Sequence, residues 1–258
     1  SDETGDGTES NPYASIQMAV DTLESGDTII VHPGLYIENV HVQDKQVYIT
    51  SLYQPGQEYL IDNTILNGNL EGTVIEFSRG VWSDELSIIN GFTITGGQSG
   101  QGGGVNSIST RLEINNCRIT ENYANSGEAN SGGGGIAARL SSQLYIQNTI
   151  IDNNQGSKGG GIMIFGGSLS ISESKILNNN GIEGGGIFSD NTTGNTYIGE
   201  CLFDGNIGGA IKLDELSGDT TRIDFSTFVN NKSLGEEFSS NVGGSAMFLK
   251  GNFKLSNS

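Results

Sequence analysis

Apolar and polar residues recur along this chain in a pattern that repeats every 25 to 32 residues. Aligned segments place apolar side chains at the same three positions, most clearly in Leu112–Ile119, Leu144–Ile151 and Leu169–Ile176. A recurring period of this length is typical of stacked structural units. Equivalent segments begin at Ser87, Thr196, Thr221 and Phe253, which gives successive spacings of 25, 32, 25, 27, 25 and 32 residues.

Within each unit, the alternation of apolar and polar residues predicts β-strands. A second short strand is predicted after a run of glycines in each unit, where it begins at Val105, Ile136, Ile162, Ile187 and Ile211. One unit is therefore a coil of short strands joined by turns. Stacked coils of this kind predict an all-β fold, a right-handed parallel β-helix.

An asparagine follows an apolar residue by three positions in five successive units. Stacked asparagines can bond to one another from coil to coil, and asparagine tolerates left-handed turn conformations. We therefore expect a structural ladder at one corner of the solenoid, made of Asn122, Asn154, Asn179, Asn206 and Asn231.

The two cysteines test this register. Cys117 and Cys201 occupy the same place in their units, with Thr149 and Ser174 between them. Three coils separate them, roughly 14 Å, whereas a disulfide needs Cα atoms within about 7 Å. Both are predicted to be free thiols.

The two ends of the chain differ from its middle. Residues Tyr13–Leu23 read as an amphipathic helix that could cover the first coil, and Gly26 follows as a stop signal. We predict one domain over residues 1–258, with a segment and capping helix at 1–25 and stacked coils at 26–258. Because the last coil has only begun at Phe253, the solenoid is expected to be truncated there, with further coils or other domains beyond.

The chain carries 12 basic and 30 acidic residues, a net charge of −18. This charge would repel nucleic acid, whose binding depends on cations. It suits a secreted or cell-surface protein, or one that gathers Ca²⁺. No apolar run is long enough to span a membrane. The acidic residues near the start (Asp2, Glu3, Asp6, Glu9) lack the ligand order of a known calcium loop. His32 and His41 have no cysteine or histidine neighbour at the spacing of a zinc site. We therefore assign no metal and no cofactor.

The opening of the chain resembles that of the pectin-lyase-like parallel β-helix superfamily, in Asn11–Val20 followed by Gly26–Glu38. This superfamily includes polysaccharide lyases, pectin esterases and many secreted bacterial proteins, so the resemblance implies the fold more than the chemistry. The Gly-Gly-Gly-Ile units, such as Gly159–Ile162, and the Phe/Ile-x-x-Asn elements resemble repeats of chlamydial polymorphic outer-membrane proteins, which are adhesins. That resemblance favours display over catalysis.

The outward second position of the first strand offers a candidate binding face. It reads Glu113, Tyr145, Ser170, Tyr197, Arg222 and Lys254 in successive coils, and sugars commonly stack on tyrosine rings. Half-exposed tyrosines are equally ordinary in strands. The outward position of the second strand carries Met163, Phe188, Lys212 and Phe248, an exposed apolar stripe unless a loop covers it. Loops at Asp190–Asn195, at Asp214–Asp219 and after Asn122 are further candidates for binding.

Two enzymatic alternatives are also open. A lyase acting on an acidic polysaccharide needs a cation and a base, and Arg222 and Lys254 lie in adjacent coils with Asp224 on the same strand face. A glycosidase needs two carboxyl groups, and Glu173 and Glu200 share a corner position in consecutive coils. Incidental surface charges explain both groups as well, so no catalytic residue is assigned.

Together these observations predict a bacterial module, secreted or on the cell surface, that binds glycans or a surface partner. The candidate ligand-binding residues are Tyr145, Tyr197, Arg222, Asp224 and Lys254. A polysaccharide lyase or glycoside hydrolase is the alternative, and a purely structural spacer is a third possibility.

Overall fold

The computed structural model describes residues 5–81, 84–124, 132–190, 194–214, 220–234, 247–250 and 252–256. Most of the loops expected after Asn122, Asp190 and Asp214 lie outside these residues, as do Asp2 and Glu3. The described chain forms parallel strands, numbered here in chain order, that stack into a β-helix, with two short helices, α1 (Ile16–Thr22) and α2 (Tyr59–Asn63). The predicted all-β solenoid is confirmed.

Three long sheets form the sides of the solenoid. The first contains β1 (Thr28–Val31), β4 (Tyr48–Ser51), β7 (Leu86–Asn90), β11 (Arg111–Asn115), β15 (Gln143–Gln147), β19 (Ser168–Ser172), β22 (Thr196–Gly199), β25 (Thr220–Asp224) and β28 (Asn252–Ser256). The second contains β3 (Val40–Gln43), β6 (Ile75–Ser78), β10 (Val105–Ile108), β14 (Ile136–Arg139), β18 (Ile162–Phe165), β21 (Ile187–Asp190), β24 (Ile211–Asp214) and β27 (Met247–Lys250).

The third sheet contains β2 (Gly34–Ile37), β5 (Thr64–Asn67), β8 (Thr93–Thr95), β12 (Arg118–Thr120), β16 (Ile150–Asp152), β20 (Lys175–Leu177), β23 (Leu202–Asp204) and β26 (Thr227–Val229). A small fourth sheet is formed by β9 (Gln98–Ser99), β13 (Tyr123–Ala124) and β17 (Gln155–Gly156). Each eight-residue segment of the sequence pattern therefore spans two strands, one in the first sheet and one in the third.

The predicted coil register is confirmed by the strand pairing. Leu112 pairs with Leu144, and Leu144 pairs with Leu169. The same column continues through Thr196, Thr221 and Phe253. Inward columns of aliphatic residues form the core, and the side chains of Ile114 and Ile171 are fully buried. Alternation with period two thus places one face of every strand inside the solenoid.

The asparagine ladder is also confirmed. In each step the side-chain amide donates to the Oδ1 of the next asparagine, for example from Asn122 to Asn154 and from Asn154 to Asn179, both at 3.1 Å. The steps to Asn206 and Asn231 follow at 3.1 and 2.7 Å. The expected left-handed conformation belongs instead to the preceding residue of each coil, since φ is positive at Glu121, Asn153, Asn178, Gly205 and Asn230.

The Gly-Gly-Gly turns that lead into the second sheet are required by close backbone approach. Gly159 has a φ of 60°, and a Cβ there would collide with the carbonyl of Ile162. A Cβ on Gly161 would collide with the carbonyl of Gly186 in the next coil and press on the ladder amide of Asn179. Only glycine satisfies both the conformation and the space.

Helix α1 caps the first coil, as predicted, although it is shorter than expected. Ser15 caps its start by accepting a bond from the Met18 amide at 3.1 Å. The Glu38 carboxylate accepts the amides of the first turn, and Lys45 donates to carbonyls at the other end, including that of Val20 at 2.8 Å. These charges match the polarity of the helix termini. Its buried face carries Ile16 and Val20.

Cys117 and Cys201 are buried free thiols, as the register predicts. They lie in one column with Thr149, Ser174 and Ser226, in which hydroxyl groups accept backbone amides from the preceding coil, such as Thr149 Oγ1 from Cys117 at 3.3 Å. Burial raises the pKa of Cys117 to about 12 and that of Cys201 to about 11. Both thiols are therefore protonated near neutral pH.

The expected apolar stripe on the second sheet is covered. Met163 and Phe188 are only 2% and 3% exposed and form a small cluster with Ala137. Gly132 packs against the Met163 sulfur, and the Lys158 ammonium lies over the Phe188 ring, 4.9 Å from its centre. Because the glycine turns fold back over this face, loop packing rather than partner contact accounts for Met163 and Phe188.

Candidate functional site

The outward column of the first sheet has the composition that the register predicted. Strand pairing aligns Glu113 with Tyr145, Tyr145 with Ser170, and Ser170 with Tyr197. The column continues to Arg222 and Lys254. Tyr145 and Tyr197 are half-buried, and they lie two strands apart, roughly 10 Å.

The strand between the two tyrosines carries only small polar residues on its outer face. These are Ser168, Ser170 and Ser172 of β19, and each is partly exposed. With Tyr145 on one side and Tyr197 on the other, they form a trough that runs along β19, across the axis of the solenoid. We call this trough the serine slot.

The ring of Tyr145 is fixed from the side away from the slot. Arg111, on the strand beyond, places its guanidinium 5.3 Å from the ring centre. The hydroxyl group donates to Gln143 Oε1 at 3.2 Å, which draws the ring toward the Ser168 end of the slot. A cation over an aromatic face is attracted by the ring quadrupole, so the ring has a preferred orientation.

Tyr197 is held in a corresponding way from the opposite side. Arg222, on the strand beyond, lies 5.8 Å from the ring centre and forms an ion pair with Asp224. The ring lies over Gly199, where a Cβ would collide with the hydroxyl group. Tyr197 therefore leans toward the Ser172 end of the slot, since Ser172 pairs with Gly199.

The two arginines make the slot nearly symmetrical. Each covers the ring face that is turned away from β19, so the opposite face of each tyrosine is directed toward the serines. The rings lean in opposite directions along the strands. The slot is thus a polar floor between two held aromatic walls, a combination suited to a ligand with apolar faces and hydroxyl groups, such as a sugar.

Of the residues predicted as a converging group, the structure brings together Tyr197, Arg222 and Asp224. Asp224 is almost fully buried, and its carboxylate neutralises the guanidinium of Arg222. Lys254 follows Arg222 in register and is exposed. Tyr145 is separate from this group, across the slot.

Beyond the Ser172 end of the slot, a groove lies at the corner between the first and third sheets. This corner groove has a volume of about 640 Å³ and is lined by Glu173, Ser174, Lys175, Glu200, Cys201, Leu202, Phe225 and Thr227. Glu173 and Glu200 occupy the same corner of consecutive coils, as predicted, with φ of 50° and 54°. Phe225 follows them in the same conformation with 58% of its surface exposed.

No metal centre is recognisable in the described part of the chain, because no group of three or more histidine, cysteine or acidic side chains converges there. His41 is exposed and lies 4.0 Å from Glu76. Among the described residues, no helix is long and apolar enough to cross a membrane.

Two parts of this site were missed by the sequence reasoning. Arg111 was not connected with Tyr145, although the two lie on neighbouring strands. Ser168 and Ser172 carry no signal of their own in the sequence, because a small residue becomes significant only beside large neighbours, and Ser170 appears there only as one member of the outward column. The usable signal was the alternation of tyrosine, serine and tyrosine along one outward column.

Comparison with known proteins places the chain by its fold. The model of the right-handed β-helix region matches residues 35–257, which also supplies the handedness of the coils. No curated protein matches the sequence significantly.

Among solved structures, YbhC of Escherichia coli shares 13% identity at a TM-score of 0.46, with 98% of this chain and 82% of that chain covered. Pectate lyase Pel9A shares 14% identity at a TM-score of 0.46, with 99% of this chain and 75% of that chain covered. The pectin methylesterase from Aspergillus niger shares 10% identity at a TM-score of 0.32, with 96% of this chain and 83% of that chain covered. These likenesses are distant, whereas the family match spans most of the sequence. The chain belongs to the family of right-handed β-helix regions.

Proposed function

We propose that this chain is a secreted or cell-surface module, of bacterial origin, that binds a glycan in the serine slot without cleaving it. The observation that carries the proposal is the pair of tyrosine rings, each backed by an arginine, on both sides of a serine floor. Sugar rings present apolar faces to aromatic side chains and hydroxyl groups to serines. The net charge of −18 is consistent with an extracellular setting.

Binding is favoured over elimination by the state of the arginine. Arg222 is already paired with Asp224, so its charge is largely compensated before any uronate arrives. The cation required for a lyase is thus engaged elsewhere. The enzymatic alternative that an observation does favour is a glycosidase, because Glu173 and Glu200 occupy the same corner of consecutive coils. The backbones of consecutive coils lie about 4.8 Å apart, and a retaining mechanism needs its two carboxyl groups about 5–5.5 Å apart.

One experiment tests binding and cleavage together. The purified chain is incubated with neutral and acidic polysaccharides, with and without Ca²⁺, while affinity electrophoresis follows retention and chromatography follows product size. We expect retention on at least one polymer with no change in its length. Tyr145→Ala and Tyr197→Ala should each weaken binding about 5- to 30-fold, from loss of about 1–2 kcal/mol of stacking and contact.

Tyr48→Ala provides the matched control, since Tyr48 belongs to the same outward column but lies three strands away from Tyr145. It should bind like the wild type. Unchanged binding in both slot variants would refute the proposal. Shortened polymer that depends on Glu173 and Glu200 would establish the glycosidase, and shortening that depends on Arg222 or Lys254 would establish the lyase.

A further inference from the structure

The serine slot ends beside the corner groove. Glu173 directly follows Ser172, the last residue of the slot floor. In the next coil Glu200 follows Gly199, over which the Tyr197 ring lies. A ligand that extends along β19 toward this end therefore passes from the two tyrosines onto the two glutamates.

The corner groove combines charged, aromatic and apolar groups. Its rim carries Glu173 and Glu200, both exposed, and beyond them the exposed ring of Phe225. Lys175 and Leu202 line the side that belongs to the third sheet. With two carboxylates and one ammonium, the lining has a net charge of −1.

The carboxylates interrupt a column that is neutral in the preceding coils. At the same corner, Asn148 donates to Asn116 and Asn116 donates to Asn90, both at 2.7 Å. The column then changes to Glu173 and Glu200, which places two exposed carboxylates in neighbouring coils. Glu173 Oε1 accepts a hydrogen bond from Gln147 Nε2 of the preceding coil at 3.3 Å, which leaves its second carboxylate oxygen for a ligand. None of the ion pairs between described residues includes either glutamate.

Lys175 compensates one of these two charges, and the arginines of the binding face do not compensate the other. Arg111 covers Tyr145 at the far side of the slot, and Arg222 is paired with Asp224. A polyuronate lying in the slot would bring its carboxylates to Glu173 and Glu200 and be repelled. A ligand ammonium at this position would gain two charge-assisted hydrogen bonds and could contact the face of Phe225.

We infer that the slot and the corner groove together bind a glycan with free amino groups, with a ligand ammonium between Glu173 and Glu200 and a sugar ring against Phe225. The inference rests on the proposed glycan-binding function and narrows its ligand class. It predicts that the glutamate end of the site distinguishes cationic sugars from neutral and anionic ones, whereas stacking on the tyrosines of the slot is available to all sugars.

The test uses three oligosaccharides of equal length: a glucosamine oligomer, its fully N-acetylated form and a galacturonate oligomer. Isothermal titration of the whole chain should rank them in that order. Glu173→Asn and Glu200→Asn should each weaken glucosamine binding about 3-fold, and the double variant about 10-fold. Asparagine is chosen because Asn116 and Asn148 already hold this corner with positive φ.

The acetylated oligomer should bind these variants as it binds the wild type. Glu71→Asn, which removes an exposed carboxylate at another part of the surface, should leave all three affinities unchanged. Phe225→Asn should weaken glucosamine binding while keeping the corner conformation. Added salt should weaken the amine-specific part of the affinity.

Equal affinity for the three oligomers, or strongest binding of galacturonate, would overturn the inference and leave the proposed glycan binding intact. If no oligosaccharide binds, the proposed function fails and the inference fails with it. If a lysine-rich peptide binds through Glu173 and Glu200 while the glucosamine oligomer does not, the groove is a protein-docking site and the inference is wrong.

Discussion

Replacing Asn154 by alanine removes one step of the asparagine ladder. The side chain of Asn154 accepts the Asn122 backbone amide at 3.0 Å and donates to the Ile119 carbonyl at 2.8 Å. Its Oδ1 also accepts a hydrogen bond from the side-chain amide of Asn122, and its own side-chain amide donates to Asn179 Oδ1. All of these groups are buried, so water cannot replace the lost partners.

The magnitude follows from the groups left without partners. Each buried polar group that loses its hydrogen bond costs about 1–3 kcal/mol. The Asn122 backbone amide loses its acceptor and the Ile119 carbonyl loses a donor, so we expect the free energy of unfolding to fall by about 2–6 kcal/mol. Asn148→Ala is the control. It removes an exposed hydrogen bond between side chains of neighbouring coils, from Asn148 to Asn116, at a residue with positive φ, and should lower the free energy of unfolding by about 1 kcal/mol.

Urea unfolding followed by far-ultraviolet circular dichroism measures both variants. The slope of the transition must stay the same for the comparison to hold, since solenoids can lose cooperativity when a coil is weakened. A loss below about 1 kcal/mol for Asn154→Ala, or a loss equal to that of Asn148→Ala, would refute the role assigned to the ladder.

Other predictions concern the buried thiols and one ion pair. Cys117 and Cys201 should resist Ellman's reagent in the folded chain at pH 8 and react in urea, and rapid labelling of the folded chain would contradict their burial. Burial raises both pKa values above the ordinary 9.0, so the contribution of the neutral thiols to the free energy of unfolding is complete below about pH 9 and declines as the pH rises toward 12. Between pH 9 and 12, the urea midpoint of Cys117→Ser should therefore fall less than that of the wild type. Arg118→Ala should lower stability by about 1–3 kcal/mol, because Arg118 binds the nearly buried Asp152 through two hydrogen bonds of 3.1 and 2.8 Å, and a thermal shift below 1 °C would argue against this.

The repeat period of the sequence was enough to predict most of the fold. The columns of Leu112, Leu144 and Leu169 and the ladder from Asn122 to Asn231 were predictable, because a one-residue slip would expose every inward side chain. The exact site of the left-handed residue was not, since it depends on the turn geometry that places each ladder amide inside the corner. Helix α2 and the small fourth sheet were missed because they are short and carry little periodic pattern.

The candidate site was predictable only in part. The register placed Tyr145, Ser170, Tyr197 and Arg222 in one outward column, which the strand pairing confirms. The direction in which each tyrosine leans depends on side-chain rotamers and on neighbours such as Arg111, which alternation of residue types cannot specify.

The most direct test of the account is the affinity of Ser170→Trp for a polysaccharide that retains the wild-type chain. Ser170 lies on the floor of the slot between the two tyrosines, so an indole there fills the trough and leaves Tyr145, Tyr197 and their arginines in place. The account predicts a loss of retention of at least about 10-fold, with an unfolding midpoint close to that of the wild type. Retention equal to that of the wild type in a folded variant would show that the glycan binds elsewhere, and would contradict the central claim.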